Sequence, residues 1–296
     1  MVQWRGRRQS GNVEDLRGRR YRQAAGIALL PFILRIFGFR GLIVVALVIG
    51  AIWFFGGDLN PVLSALFGNQ ERVAAQGQVP PGQEDEAEFA AVILADTEDV
   101  WSEVFAAEGI DYPEPTMVLY SEGAPSGCGF ADSAVGPFYC PSDQRIYLDL
   151  TFFDELENRL GAEGDFAPAY VIAHEVGHHV QFVLGALEQA QRQKAGLTQS
   201  QQNAVQVRIE LMADCFAGVW AKRADRMSGI LDPGDIREGM DAAAAVGDDT
   251  LQRRANGRVA PDSFTHGSSA QRTEWFMRGY ETGGMRDCDT FQPAAP

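Results

Sequence analysis

The sequence predicts an α+β fold, mostly helical with a small sheet, preceded by one N-terminal membrane-crossing helix. Three observations carry this. Apolar residues recur at helical spacing through much of the chain after residue 84. Two short runs, Thr116 to Tyr120 and Arg145 to Leu150, are rich in β-branched and aromatic residues and read as strands. Gly41 to Gly57 is a run of 17 residues without a charge.

The charge distribution bears on the first part of the chain. The formal net charge is −15, yet residues 1–40 hold nine Arg against only Glu14 and Asp15. A basic head on an acidic body suggests two environments. An acidic body has no basic face for non-specific nucleic-acid binding, so no nucleic-acid partner is expected. The apolar run reaches the lower edge of the roughly 17–25 residues needed to span a bilayer. Arg40 can snorkel at one end, and Trp53, Phe54 and Phe55 suit the opposite interface. A signal peptide would begin its apolar part nearer the N-terminus, so the run reads as an uncleaved anchor. A second apolar patch, Ala24 to Phe39, is broken by Pro31 and Arg35 and reads as an interfacial helix or part of a hairpin. The positive-inside rule then places residues 1–40 in the cytoplasm, 41–57 across the bilayer and the acidic body outside.

Exported domains can keep disulfides. Cys128 and Cys140 flank a Gly-rich loop, which leaves Cys215 for Cys288; four cysteines allow three connectivities. No C-x-x-C spacing supports a cysteine metal site.

Residues 58–83, rich in Gly, Pro, Gln and Asn, read as a linker, either a spacer or an inhibitory segment. Residues 84–296 then form the body. Phe89, Val92, Val100, Val104 and Phe105 mark a helix from 84 to 108, and Pro113 and Pro115 end it. The two strands follow, with a short helix over 151–160. Pro168 suits the first turn of the next helix and Gly185 its end. Further helices are expected over 200–225, after Pro233, and over 268–280.

The helix near 168–185 carries His174, Glu175 and His178 as H-E-V-G-H. Four-residue spacing puts both imidazoles on one face, one turn apart, where they can share a zinc ion. Glu175 stands beside the first ligand and can act as general base toward a zinc-activated water. At this composition a chance match is expected on the order of 0.003 times, so the bland reading of a surface His pair is weak. His179 lies about 100° further round the helix and is no candidate for the third ligand. Glu210 and Asp214 are an i, i+4 acidic pair among apolar neighbours. The bland reading is a solvated pair on a helix surface. Given the upstream motif, Glu210 is expected to ligate zinc, and Asp214 to fix the tautomer of a ligand His. His266 is a candidate hydrogen-bond donor to a developing oxyanion. Its bland reading is a helix-entry His, since Ser268 and Ser269 look like caps.

The motif set, H174-E-V-G-H178 followed by E210-x-x-x-D214, resembles the gluzincin branch of the zincins. More closely, the chain resembles the bacterial neutral zinc metallopeptidases. The resemblance rests on Trp4 to Asp15, Ala173 to Gln181, Glu210 to Trp220 and His266 to Arg272. It implies a zincin-like domain, one bound zinc and hydrolysis of peptide bonds, without supplying a substrate; the short anchor and the acidic body suggest work on proteins or peptides at the outer face of the bacterial cytoplasmic membrane. Two other classes stay open: a catalytically silent or regulatory zinc-binding scaffold, and metal-assisted hydrolysis of a non-peptide amide or ester.

Overall fold

A computed structural model of the chain describes residues 2–23, 72–76, 79 and 81–291, together with Val45, Ile49 and Ile52. The eight described strands are β1 (Val13–Asp15), β2 (Arg19–Gln23), β3 (Arg72–Gln76), β4 (Thr116–Tyr120), β5 (Gly123–Ser126), β6 (Gly129–Asp132), β7 (Phe138–Cys140) and β8 (Arg145–Asp149). The long helices are α1 (Gln83–Ala107), α2 (Thr151–Asn158), α3 (Phe166–Val183), α4 (Ala186–Lys194), α5 (Gln199–Ser228), α6 (Asp235–Ala245), α7 (Asp248–Asn256) and α8 (Ser269–Thr282). The mostly helical α+β expectation holds. Both predicted strands and the predicted helices are present, most within a few residues of their expected ends.

The chain divides into two compact units, Met1–Gly18 with Gln78–Pro296, and Arg19–Gly77. In the smaller unit β2 and β3 form an antiparallel ladder with Gln23 opposite Arg72. The expected linker over 58–83 is therefore corrected: part of it is a strand, and Gln83 opens α1. The predicted spanning helix 41–57 falls, except for three positions, outside the described residues, as does the patch 24–39. Among the described residues no helix is long and apolar enough to cross a membrane.

In the larger unit a four-stranded sheet runs in the order β1-β4-β8-β7. β1, β4 and β8 are parallel, and β7 is antiparallel at the edge. β1 joins residues up to 18 to the body, where the sequence reading set residues 1–40 apart from it. Leu16 N–H donates to Leu119 O at 2.7 Å and Met117 N–H to Asn12 O at 2.8 Å. Val2, Trp4 and Leu16 are buried, and Trp4 meets Phe89 edge-on at 5.6 Å. The arginines of this stretch face the carboxylates of α1: Arg5 pairs with Asp85, Arg7 with Asp96, Arg8 with Glu98 and Asp99, and Arg17 with Glu84. Part of the basic head thus faces an acidic helix, and residues 2–18 share a core with 81–291.

Two close helix approaches position the site. A Cβ on Gly177, midway through α3, would lie 2.9 Å from the Ala213 carbonyl oxygen of α5. A Cβ on Gly279 of α8 would overlap the Cys215 carbonyl oxygen of α5. Glycine at these points lets backbones touch, so that side chains on α3, α5 and α8 converge. Both expected disulfides are formed, Cys128–Cys140 and Cys215–Cys288. The second joins α5 to the turn after α8 across 73 residues, which stabilises by about 4 kcal/mol in the chain-entropy model.

Candidate metal centre

Helix α3 is buried on nearly every side, with Phe166, Tyr170, Ile172, Val176 and Val180 among its core residues. It therefore presents its polar residues inside the protein, where each needs a partner. His174 and His178 stand one turn apart, ring centroids 4.8 Å from each other. The α3–α5 approach brings Glu210 opposite them. Its Oε2 lies 3.3 Å from His174 Nε2 and 3.5 Å from His178 Nε2.

These spacings fit zinc. Two N or O ligands at about 2.0–2.1 Å from a tetrahedral ion stand about 3.3–3.5 Å apart. Burial works against a charged imidazole at His174, but Asp214 and Glu210 outweigh it and push the metal-free ring up to about 9. Burial would likewise raise Glu210, yet the two imidazoles hold it well below the usual carboxylate range. Loading a metal here therefore releases protons.

Each of the three donors has a supporting partner. Asp214 Oδ1 accepts from His174 Nδ1 at 2.8 Å, in the role expected from sequence. Asp214 is itself held by Arg272, whose Nε and Nη2 donate to its two oxygens at 2.8 and 2.9 Å, and by the Tyr170 hydroxyl at 2.5 Å. Gln181 Oε1 accepts from His178 Nδ1 at 2.9 Å while its amide donates to Ile209 O. Gln206 Nε2 donates to Glu210 Oε1 at 2.8 Å, leaving Oε2 toward the histidines. Such outer contacts fix ring orientation and ligand basicity.

Glu175 is buried beside this cluster and is not one of the converging donors. Its Oε2 has no hydrogen-bond partner among the described residues. His266 stands on the rim, half-exposed, with Nδ1 donating to Asp248 Oδ1 at 3.2 Å. Asp248 Oδ2 accepts the backbone N–H groups of Thr265, His266 and Gly267, which ties the loop carrying His266 to the start of α7. His179 is a core residue, as its angle on the helix required. Its Nε2 donates to Pro113 O at 2.5 Å and its Nδ1 accepts from the Tyr139 hydroxyl at 3.0 Å. Burial lowers the pKa of this ring, consistent with a neutral structural histidine.

A cavity of about 780 Å³ opens onto His174, Glu175, His178, Glu210 and His266. That volume suits a small-molecule-sized segment of substrate. Its walls include Phe138, Tyr139 and Phe182. A second acidic group, Asp165, Asp235 and Glu238, lies apart from this centre. There Asp165 accepts from Val2 N–H and Glu238 from Phe166 N–H, so these carboxylates serve chain ends and helix starts.

Sequence reasoning thus named every member of the central cluster. It missed Arg272, Tyr170, Gln181, Gln206 and Asp248 as supports. Gln181, three residues beyond His178, was the one with a local signal, since i, i+3 side chains are neighbours on a helix.

The uncharacterized protein YpfJ of Escherichia coli K12 is 42% identical over 290 residues, 98% of this chain and 99% of that protein. The uncharacterized protein Mb2605 of Mycobacterium bovis is 47% identical over 193 residues, 62% of this chain and 64% of that protein. No solved structure matches. The family described as "Putative neutral zinc metallopeptidase" matches residues 2–291, and the chain belongs to that family.

Proposed function

We propose that the protein is a zinc-dependent peptidase. One observation carries the reading: a buried carboxylate, Glu175, with an unpartnered oxygen, sits beside three donors spaced for one zinc and opens with them onto one cavity. A scaffold that only held a metal would have no use for this fourth, uncommitted acid. His174, His178 and Glu210 hold the ion. When bound, zinc supplies Lewis acidity to a water and to the substrate carbonyl.

The chain's own residues do the rest. Glu175 takes a proton from the attacking water and passes it to the leaving amine. His266, oriented by Asp248, donates to the oxygen of the tetrahedral intermediate as charge develops there. Asp214 and Gln181 keep the imidazoles in the tautomers that offer Nε2 to the metal. β7 is the outer strand of the described sheet, and Phe138 and Tyr139 from it line the cavity. An extended peptide can add along such an edge, its main chain held by backbone hydrogen bonds.

The test is metal dependence. The purified protein is expected to contain one zinc per chain and to cut a proteome-derived peptide mixture. A chelator should stop cleavage, and added zinc should restore it. Full occupancy with no cleaved peptide would favour the scaffold reading.

We further propose that the body works outside the cytoplasm, at a membrane. The two disulfides support an oxidising compartment. The charge-free run 41–57 supports attachment to a bilayer. With residues 2–18 inside the body, tags at either end of the chain should both be accessible from the same side in intact cells. Accessibility from opposite sides would contradict the sheet.

A further inference from the structure

The cavity wall formed by α4 carries a cation, Lys194, that makes no ion pair among the described residues. Leu187, Glu188, Ala190, Gln191 and Lys194 line the cavity from this helix, and all but Glu188 are spaced so that they share one face. Lys194 closes the row. Its Nζ donates to Gln206 Oε1 at 2.6 Å, and Gln206 in turn donates to Glu210. A single side-chain amide therefore separates the ammonium group from the carboxylate placed at the metal.

An ammonium has three hydrogens to give, and Gln206 is the only acceptor Lys194 has among the described residues. The chain has 40 acidic residues, and other bases of this region find one: Arg192, also on α4, pairs with Glu188. The second cation of the cavity, Arg272, gives its hydrogens to Asp214, Tyr170 and Val246 O. Partial burial pulls the Lys194 pKa down, with Glu210 opposing. The one acid that α4 brings to the cavity, Glu188, is held by Arg192. The Lys194 ammonium is best satisfied by an anion brought in from outside.

We infer that Lys194 marks a carboxylate-binding subsite that selects substrates bearing a negative charge within a residue or two of the bond cut. The distance argument is simple. A peptide advances about 3.3–3.6 Å per residue, and the ammonium is one amide away from a ligand of the ion that faces the scissile carbonyl. The carboxylate can come from an Asp or Glu side chain or from the C-terminus of the substrate. This rests on the peptidase reading, and it adds a substrate class to it.

The experiment uses the full-length, zinc-loaded protein. Matched peptides built on a cleaved sequence differ by Glu against Gln, and by a free against an amidated C-terminus, at each of the two positions on either side of the cut. Wild-type protein should prefer one carboxylate form by about ten- to a hundredfold in kcat/KM, and the pair that shows it identifies the source. Lys194→Met should bring that ratio close to one, and Lys194→Arg should keep most of it. Zinc content is measured on every variant, so that a loss of metal is not read as a loss of selectivity. The same pairs are also titrated onto zinc-loaded Glu175→Gln protein, where Kd reports binding without turnover. Equal treatment of both forms by wild type, or a ratio unchanged in Lys194→Met, overturns the subsite. If no peptide is ever cut, the same Glu/Gln and acid/amide pairs are built on a bound sequence instead, and a carboxylate preference in Kd that Lys194→Met abolishes supports the subsite and removes the peptidase.

Discussion

Replacing Glu175 by Gln should lower kcat/KM for peptide cleavage by about 10²- to 10⁴-fold while leaving one zinc per chain, the loss typical of a missing general base. The expectation follows from placement. Glu175 is next to His174 in sequence, so it shares the helix that holds the metal, but it is rotated off the face that carries His174 and His178. The three converging donors do not include it. Glutamine has nearly the same shape, so packing around the buried side chain is kept, and only the ability to take a proton is lost. Metal analysis, thermal unfolding and steady-state kinetics on the same preparation separate the possible outcomes. Wild-type turnover by the variant would move the base elsewhere. Loss of zinc would make Glu175 a ligand.

The second large effect is expected at Arg272. It is a buried guanidinium whose fork engages both oxygens of a buried carboxylate, Asp214, and which also donates to Tyr170 at 3.1 Å. Three helices, α3, α5 and α8, meet in this one group of polar atoms. Arg272→Met removes the cation and leaves Asp214 buried without its counter-charge. Breaking such a pair costs about 3–5 kcal/mol. Zinc affinity should fall as well, by about 10–100-fold, because Asp214 is what orients His174. Lys at this position restores charge but not the planar fork, so it should recover only part of either quantity. The double variant Arg272→Met with Asp214→Asn should unfold less easily than Arg272→Met alone, since it no longer buries an unpaired charge. Equal zinc affinity in wild type and Arg272→Met would show that Asp214 holds the histidine without help.

How much of this was legible in the sequence follows from what leaves a local trace. Helical periodicity announced α1, and the Pro168 and Gly185 boundaries framed α3. Glu210, the proposed third ligand, was visible because an i, i+4 acidic pair among Leu211, Met212 and Phe216 is costly unless something uses it. The helix α4 was not expected: its segment is mostly polar, and polar surface helices give little amphipathic contrast. β5 and β6 are four residues each and hold Gly and Pro, which weakens any strand signal. Asp248 and Arg272 act across 18 and 58 residues of chain, on His266 and Asp214 respectively. A partner at that distance imprints no spacing rule on either member of the pair. The pairing of the basic head left no trace for the same reason: Arg5, Arg7, Arg8 and Arg17 are answered by acids that come some 70 to 90 residues later, on α1.

The edge strand β1 also sets an order of events during synthesis. It leaves the ribosome well before β4, which it must join and which begins only at residue 116. At about 5–20 residues per second the nascent chain carries this strand unmated for at least about 5–20 s. Two of its three residues are Glu14 and Asp15, charges that discourage a waiting strand from pairing with a neighbour. The body can be completed only after residues from both sides of the 19–77 segment have met. A shortened version made for solution work should therefore join residue 18 to residue 78, because starting the chain at α1 would discard a strand, Trp4 and the arginines that face that helix.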